Sequence, residues 1–218
     1  MQVRTRSERE RGSQHAVHKP FSYTRPVERL GLLGGTFDPV HIAHLVAATA
    51  ARDQLGLDRV LVVVAGDPWQ KRGRVGAPAD ARFEMVAAAL DGVDRLVACR
   101  IEIDRPGPTY TIDTVETLLA EGERELFLIV GSDVAASLDT WHRADALQAA
   151  VTLAVVDRED VAPSIPPAGW RCVRVHMPRL DVSSTDLRRR IAAGESVDYL
   201  VPLPAARVLR QRGLYTGQ

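Results

Sequence analysis

The sequence predicts a single α/β domain built on a doubly wound parallel sheet, and three observations lead to this fold class. Short apolar runs alternate with longer helical stretches from residue 27 onward. The apolar runs are hydrophobic at consecutive positions, which is typical of strands buried on both faces. The length of 218 residues, with 45% apolar and 26% charged residues, suits one domain with a sizeable core.

Each element follows from its own local pattern, taken in chain order. Leucine-rich or β-branched runs that end in glycine or a polar loop predict strands, and helical spacing of apolar residues predicts helices. The predicted strands are RLGLLGG, RVLVVVAG, LVACRIEI, ELFLIVG, VTLAVVD and RCVRVHM. The predicted helices are 42–56, 80–90, 111–121, the segments SDVAASL and ALQAA, 185–193 and 204–212. In such a sheet, ligands bind beyond the carboxyl ends of the strands, so the strand-to-helix junctions are the candidate sites.

Composition excludes several classes of protein. Lys+Arg and Asp+Glu both number 28, which is unlike a strongly basic nucleic-acid binder. No run of roughly 18 or more apolar residues predicts a membrane-spanning helix. Cys99 and Cys172 lie far apart and form no C-x-x-C pair, so we expect reduced thiols and no structural zinc. We therefore expect a cytoplasmic protein without nucleic-acid or membrane partners.

The first 26 residues differ in charge from the rest of the chain. They carry six Lys or Arg and two Glu, whereas the remainder has four more acidic than basic residues. The segment has no apolar stretch typical of a secretory signal. We expect a disordered basic extension over residues 1–26 and the folded domain over 27–218; the alternative is a basic arm that touches nucleic acid or acidic surfaces.

The first strand-to-helix junction, GGTFDPVHIAH, contains the most informative residues of the sequence. Gly34 and Gly35 allow a tight turn and a close approach of the backbone to a ligand. Asp38 followed by Pro39 fits a helix N-cap with proline at the first helical position. We therefore predict that the helix begins directly after Asp38.

Two histidines follow this predicted helix start. His41 then falls at the third helical position and His44 three residues later, so both imidazoles share one face near the helix N-terminus. Free backbone N–H groups and the positive end of the helix dipole complete a predicted phosphate site. The alternatives are a buried, hydrogen-bonded core histidine, or a zinc site that lacks a nearby third ligand. Neither the P-loop pattern nor G-x-G-x-x-G is present.

These residues strongly resemble the signature of the bacterial nicotinate-mononucleotide adenylyltransferases, within the H-x-G-H nucleotidyltransferase superfamily. The resemblance covers roughly residues 30–215 and implies a Rossmann-like fold that joins ATP to a mononucleotide. Ala43 stands where the superfamily pattern usually has glycine. For this loop the resemblance implies ATP contacts from Gly34, Gly35, Thr36, Phe37, His41 and His44, with Thr36 also reaching the mononucleotide.

A second phosphate-binding segment is predicted at residues 181–190. Ser183 and Asp186 have the spacing of a capping box, so a helix begins here. The helix N-terminus, the hydroxyls of Ser184 and Thr185, and Arg188 can surround a phosphate group. The alternative is an ordinary capped helix with a solvated arginine face. The segment also resembles the family's S-S-T-x-x-R motif, which implies that Ser184, Thr185 and Arg188 hold the β- and γ-phosphates of ATP.

A third segment, Pro-Trp-Gln-Lys, follows the second strand. Many family members have a histidine followed by a basic residue here, whereas this chain has Gln70 and Lys71. The form resembles the actinobacterial branch of the family and implies that Lys71 contributes positive charge to the ATP site. The alternative is a mobile basic loop.

The pyridine half of the predicted site rests on resemblance. Thr109, Tyr110 and Thr111 resemble the family's S-Y-T-x-D-T-L segment, whose N–H groups at a helix start face the nicotinate carboxylate. The alternative is that Tyr110 packs in the core and that Thr111 or Asp113 caps the helix.

The fourth and fifth strands end in further candidates. The resemblance places Gly131 and Asp133 at the ATP ribose, and Trp141 as a flat surface against the pyridine ring. Because Trp141 lies in a polar stretch, core packing explains it poorly. His142 stands where a tyrosine is common, and Arg158 is a candidate for the mononucleotide phosphate.

The resemblance implies the reaction ATP + nicotinate mononucleotide → nicotinate adenine dinucleotide + pyrophosphate, a step of NAD biosynthesis. His41, His44 and Arg188 are the expected catalytic residues. Mg²⁺ is the expected cofactor, held mostly by ATP phosphates and water, with no metal ligand from the chain. The first alternative is another phosphate acceptor such as phosphopantetheine, and the second is a non-catalytic nucleotide-binding or RNA-binding module. The sequence is compatible with a homo-oligomer.

Overall fold

A computed structural model describes residues 27–68, 75–158 and 167–217 of the chain. All six strands that it describes are parallel and form one sheet, in the order β3-β2-β1-β4-β5-β6. The strands are β1 (Glu28–Gly35), β2 (Arg59–Val64), β3 (Leu96–Cys99), β4 (Arg124–Gly131), β5 (Val151–Arg158) and β6 (Cys172–Met177). The helices are α1 (Ile42–Leu55), α2 (Ala79–Leu90), α3 (Ile101–Asp104), α4 (Thr111–Ala120), α5 (Ser132–Ala135), α6 (Ala144–Ala150), α7 (Ser184–Ala192) and α8 (Leu203–Gln211).

Each face of the sheet carries its own apolar core, which confirms the predicted doubly wound α/β fold. Side chains of successive strand residues point to opposite faces. In β2, Val62 and Val64 belong to the core under α1, α2, α7 and α8. Leu61 and Val63 of the same strand belong to the core under α4, α5 and α6. A strand buried on both sides needs apolar residues at consecutive positions, as the sequence has here.

The order of the strands reverses direction between β1 and β4. Strands β2 and β3 extend the sheet on one side of β1, and β4, β5 and β6 extend it on the other. β1 and β4 pair directly, with Leu32 opposite Leu128. This pair is the topological switch point, where the crevice at the carboxyl edge of the sheet opens.

One predicted strand is partly wrong. LVACRIEI forms a strand only over Leu96–Cys99, and Ile101–Asp104 is a helical turn. Within the turn, Arg100 Nε pairs with Asp104 Oδ1 at 2.8 Å, at the (i, i+4) spacing that brings side chains together on a helix. Short apolar runs do not distinguish a strand from a buried helical turn, so the pattern gave the wrong length.

The start of α1 at Ile42 confirms the predicted range of 42–56, whereas the helix cap predicted at Asp38 is wrong. The N-cap is His41, in an extended conformation, and not Asp38, which precedes a cis peptide bond to Pro39. The predicted end is confirmed, because Gly56 adopts the left-handed conformation (φ 58°) and donates its N–H to Arg52 O. No helix in the described part of the chain is long and apolar enough to cross a membrane.

Candidate active site

The β1–α1 loop brings His41 and His44 together at the carboxyl edge of the sheet. Their rings stack with centroids 3.7 Å apart and an angle of 28°. Phe37 places its ring edge-on to His44, at 4.9 Å and 79°. His41 is only 6% exposed. The predicted sharing of one face is therefore confirmed, although His41 is the N-cap and His44 the third helical residue.

One hydrogen bond determines which nitrogen of His44 can donate. The backbone N–H of His41 donates to Nδ1 of His44 at 3.2 Å. A neutral imidazole that accepts at Nδ1 carries its proton on Nε2. His44 in this tautomer presents an N–H donor from Nε2.

The expectation of free N–H groups at the start of α1 is wrong for two of the three residues that begin the helix. The N–H of Ile42 donates to Leu200 O at 2.9 Å, and that of His44 donates to His41 O at 3.0 Å. The segment before α8 therefore covers this helix end. The histidine rings, more than the backbone, supply the donors in this part of the site.

Asp38 has a different role from the predicted helix cap. Its side chain is buried, with the residue 3% exposed, and accepts hydrogen bonds from Gly76 N at 2.7 Å and Ala77 N at 3.0 Å. Tyr215 donates its hydroxyl to Oδ1 of the same carboxylate at 2.6 Å. Asp38 thus joins the β1–α1 loop to the segment before α2 and to the segment after α8.

The segment at α7 meets the β1–α1 loop directly. Ser184 Oγ donates to Pro39 O at 2.9 Å. Arg188 Nη1 donates to Asp38 O at 2.8 Å and lies 3.5 Å from Asp38 Oδ2. Arg188 Nη2 donates to Thr185 Oγ1 at 3.4 Å. The two predicted phosphate-binding segments are therefore neighbours in the fold.

The capping prediction for α7 is confirmed, because Ser183 Oγ accepts the N–H of Asp186 at 3.1 Å. Arg188 has 27% of its side chain exposed, whereas Arg189 and Arg190 are more exposed and pair with Asp186. The alternative of a solvated arginine face therefore fits Arg189 and Arg190, but not Arg188.

Sequence reasoning missed Arg82, which supports the loops around the site. This residue is 1% exposed and donates to Thr36 O at 2.7 Å, Gly66 O at 3.2 Å and Ala77 O at 3.1 Å. Burial lowers the pKa of its guanidinium, and the nearby Asp38 carboxylate opposes that effect. A signal existed in the sequence: Arg82 lies on the apolar face of its helix, one turn before Met85.

The loop before α4 contains the three residues assigned to the pyridine. Thr109 is buried, donates its N–H to Asp67 O at 3.2 Å and accepts from Asp67 N through Oγ1 at 2.9 Å. Tyr110 is the N-cap residue of α4, and Thr111 is the first helical residue. The hydroxyl of Thr109 is therefore used to join this loop to the loop after β2.

The aromatic contact in the predicted pyridine half of the site involves His142. Tyr110 stacks on the ring of His142 with centroids 4.2 Å apart and an angle of 30°. Trp141 is half-buried and packs against the core under α4, α5 and α6. The expectation that core packing explains Trp141 poorly is therefore partly wrong.

A buried acid that the sequence did not reveal lies beneath this loop. Glu102 Oε1 accepts the hydroxyl of Thr114 at 2.8 Å, and that hydroxyl accepts from Arg105 Nη2 at 3.1 Å. Arg105 also donates to Tyr110 O at 3.4 Å. Burial raises the pKa of Glu102, and the hydrogen bond from Thr114 and the charge of Arg105 partly oppose this.

The end of β4 places Gly131 and Asp133 at the same edge as β1. A Cβ atom at Gly131 would lie 2.6 Å from Oδ1 of Asp133, so a larger residue would displace that exposed carboxylate. At Gly34 a Cβ would meet no atom within 4 Å. The backbone at Gly34 is therefore accessible to a ligand.

Several predicted residues lie outside what the structure describes. These are residues 1–26, Gln70 and Lys71, and the side chain of Arg158. Within the described ranges, no group of three or more His, Cys, Asp or Glu residues could hold a metal ion.

Comparisons with known proteins show the family of the chain. The model of the cytidylyltransferase-like family matches residues 32–190, so the chain belongs to this class of nucleotidyltransferases. A probable nicotinate-nucleotide adenylyltransferase of Acidothermus cellulolyticus is 40% identical over 197 residues, covering 86% of this chain and 94% of its own length. One of Thermus thermophilus is 42% identical over 190 residues, covering 86% and 99%. Within the class, the chain belongs to the nicotinate-nucleotide adenylyltransferase family, as its sequence motifs predicted.

Solved structures confirm the fold. The nicotinic acid mononucleotide adenylyltransferase of Plasmodium falciparum, complexed with NaAD, matches with a TM-score of 0.70 at 16% identity. The match covers 86% of this chain and 97% of the other. A nicotinate-nucleotide adenylyltransferase structure from Vibrio parahaemolyticus matches with a TM-score of 0.61 at 14% identity.

Proposed function

We propose that the protein transfers the adenylyl group of ATP to nicotinate mononucleotide, yielding nicotinate adenine dinucleotide and pyrophosphate in NAD biosynthesis. The observation that supports this most directly is the contact between the two phosphate-binding segments. The stacked His41 and His44 lie on the same loop that Arg188 and Ser184 contact. The names of the relatives support the choice of acceptor.

The reaction needs positioning and charge stabilisation more than covalent chemistry. A 5′-phosphate oxygen of the mononucleotide attacks the α-phosphorus of ATP in line. The new P–O bond forms while the bond from the α-phosphorus to the bridging oxygen breaks, and pyrophosphate leaves with that electron pair. Enzymes accelerate such steps mainly with preorganised donors and cations.

His44 is the central donor in this proposal. Its Nδ1 accepts from the His41 backbone, so in the neutral tautomer its Nε2 is the donor that we assign to an oxygen of the α-phosphate. His41 stacks on it and restrains the ring. The loop residues Gly34, Gly35, Thr36 and Phe37 let the triphosphate approach the backbone, and Asp133 with Gly131 binds the ATP ribose.

Arg188 stabilises the leaving pyrophosphate, assisted by Ser184, Thr185 and the N-terminus of α7. A guanidinium forms charge-assisted hydrogen bonds to phosphate oxygens, and the dipole of α7 favours the same negative charge. Lys71 supplies a further cation. A Mg²⁺ ion would be held mainly by the ATP phosphates and water and would neutralise part of the phosphate charge.

The pyridine half selects the acceptor. The N–H groups at the start of α4, near Tyr110 and Thr111, face the nicotinate carboxylate, which suits an anion better than a neutral carboxamide. In this proposal, Trp141 provides the flat surface for the pyridine ring and Thr109 holds the loop. Arg158 is assigned to the mononucleotide phosphate.

A pyrophosphate-release assay with Mg-ATP tests the proposal, with nicotinate mononucleotide, nicotinamide mononucleotide and phosphopantetheine as acceptors. We expect the highest kcat/KM with nicotinate mononucleotide. A preference for phosphopantetheine would refute the pyridine half and retain the ATP half. Folded protein that binds ATP but releases no pyrophosphate with any acceptor would refute the reaction.

A further inference from the structure

We propose that Tyr215 is a positioning residue for the adenylyl transfer and that it acts through Asp38 to orient Arg188 toward the pyrophosphate of ATP. The inference rests on the proposed function, because it concerns how that site holds ATP. Tyr215 lies in the segment after α8, far along the chain from the β1–α1 loop.

The hydroxyl of Tyr215 shares one buried carboxylate with Arg188. It donates to Asp38 Oδ1 at 2.6 Å, while Arg188 Nη1 lies 3.5 Å from Oδ2 and donates to Asp38 O at 2.8 Å. Tyr215 and Arg188 also lie next to the same backbone position: a Cβ at Gly76 would lie 3.0 Å from the Tyr215 ring and 3.3 Å from Arg188 Cδ. Glycine at this position therefore leaves room for both side chains.

The charges around the Asp38 carboxylate explain why its hydrogen bond from residue 215 comes from a neutral donor. Arg82 and Arg188 both lie near Asp38, and this carboxylate also accepts from Gly76 N and Ala77 N. A buried carboxylate that loses a donor is left partly unsatisfied, which costs free energy unless its remaining charged partners move closer. Without the hydroxyl of Tyr215, the Asp38 carboxylate draws the guanidinium of Arg188 closer and takes donors away from the phosphate.

Tyrosine is suited to this position because it donates without adding charge. Burial, the hydrogen bond to Asp38 and the negative charge of Asp38 all raise the pKa of Tyr215, so the hydroxyl keeps its proton. The positive charge of Arg188 is therefore not neutralised further by a second anion.

The test is Tyr215→Phe in the full chain, compared with Tyr199→Phe. Both variants lose only a hydroxyl, and Tyr199 is 92% exposed. We expect Tyr215→Phe to raise the KM for ATP about tenfold and to raise the inhibition constant of pyrophosphate similarly. The KM for nicotinate mononucleotide should stay within about twofold, and Tyr199→Phe should match the wild type in all three constants.

A double-mutant cycle with Arg188→Gln tests whether Tyr215 changes the KM for ATP through Arg188. In the Arg188→Gln background, we expect Tyr215→Phe to change the KM for ATP less than about twofold. Effects that multiply would show that Tyr215 does not act through Arg188 and would overturn the proposal. An unchanged KM for ATP in Tyr215→Phe, or equal rises for both substrates with a lowered melting temperature, would also overturn it.

Binding of a non-hydrolysable ATP analogue distinguishes this inference from the proposed function. A wild-type chain that binds the analogue but transfers nothing refutes the reaction. The roughly tenfold weaker binding expected for Tyr215→Phe would then still support the role of Tyr215, and equal binding by the two proteins would overturn it. A wild-type chain that binds no analogue overturns both proposals.

Discussion

The proposed phosphate half and the proposed pyridine half of the site are built from contacts of different range. In the phosphate half, the side-chain hydrogen bonds of Ser184, Arg188 and Tyr215 reach residues 145, 150 and 177 positions away. In the pyridine half, Thr109 bonds a residue 42 positions away, and Thr114 bonds residues 12 and 9 away.

This difference indicates what each half can tolerate. The phosphate half requires segments from both ends of the folded domain, and its charged groups share partners, so one substitution affects several contacts. The pyridine half consists of a loop, a helix start and a stacked aromatic pair, which can shift with less effect on the rest. We therefore expect large effects on turnover in the first half and graded effects on acceptor binding in the second.

The largest effect is expected from His44→Ala. This substitution removes the donor that we propose for the α-phosphate, so kcat should fall about 100-fold or more, the usual cost of one preorganised transition-state donor. Steady-state pyrophosphate release measures it. His176→Ala, which removes an imidazole from an exposed position on β6, is the matched control and should keep wild-type turnover. Near-normal turnover of folded His44→Ala would contradict this role.

A smaller effect is expected from Trp141→Ala. Loss of a stacking surface for an aromatic ring should raise the KM for nicotinate mononucleotide about tenfold and leave the KM for ATP within about twofold. Trp170→Ala is the control, because Trp170 packs against the same core but has no assigned ligand. If both variants raise the acceptor KM equally, Trp141 acts only through packing.

The smallest effect is expected from Glu102→Gln. Burial raises the folded-state pKa of Glu102, so the protonated form stabilises the fold at low pH. That stability is lost as the pH rises from the unfolded value of about 4.3 through the folded pKa. The amide cannot ionise, so the variant should lose less stability over this range, by about 1 kcal/mol or less.

Thermal unfolding between about pH 4.5 and 8 measures this difference. Glu123→Gln, which changes an exposed glutamate, should follow the wild-type profile. A Glu102→Gln profile parallel to that of the wild type would show that Glu102 ionises at the same pH in the folded and unfolded chain.

The sequence predicted the fold well because the decisive signal is local. Consecutive apolar residues, as in RVLVVV, require burial on both faces, and helices between them supply that burial. The strand predicted over LVACRIEI was wrong in its second half. There the chain forms a helical turn, in which Glu102 is buried and Arg100 pairs with Asp104. Apolar periodicity over eight residues does not distinguish a strand from a helical turn.

The site was predictable in its residues more than in its geometry. The spacing of His41 and His44 was enough to place both rings on one face. The role of Asp38 was not accessible, because its partners Gly76, Ala77 and Tyr215 come from distant segments. Local propensity made it look like a helix cap. Burial of Arg82 likewise depends on three carbonyl groups that only the folded chain brings together.

The separation of Asp38 and Tyr215 also sets an order in time. At a synthesis rate of roughly 5–20 residues per second, the 177 positions between them take about 10–35 s to translate. Arg188 follows Asp38 by 150 positions, so for most of that interval the carboxylate has neither side chain as a partner. We therefore expect nucleotide binding to begin only late in translation, after α7 and the segment that follows α8 have been made.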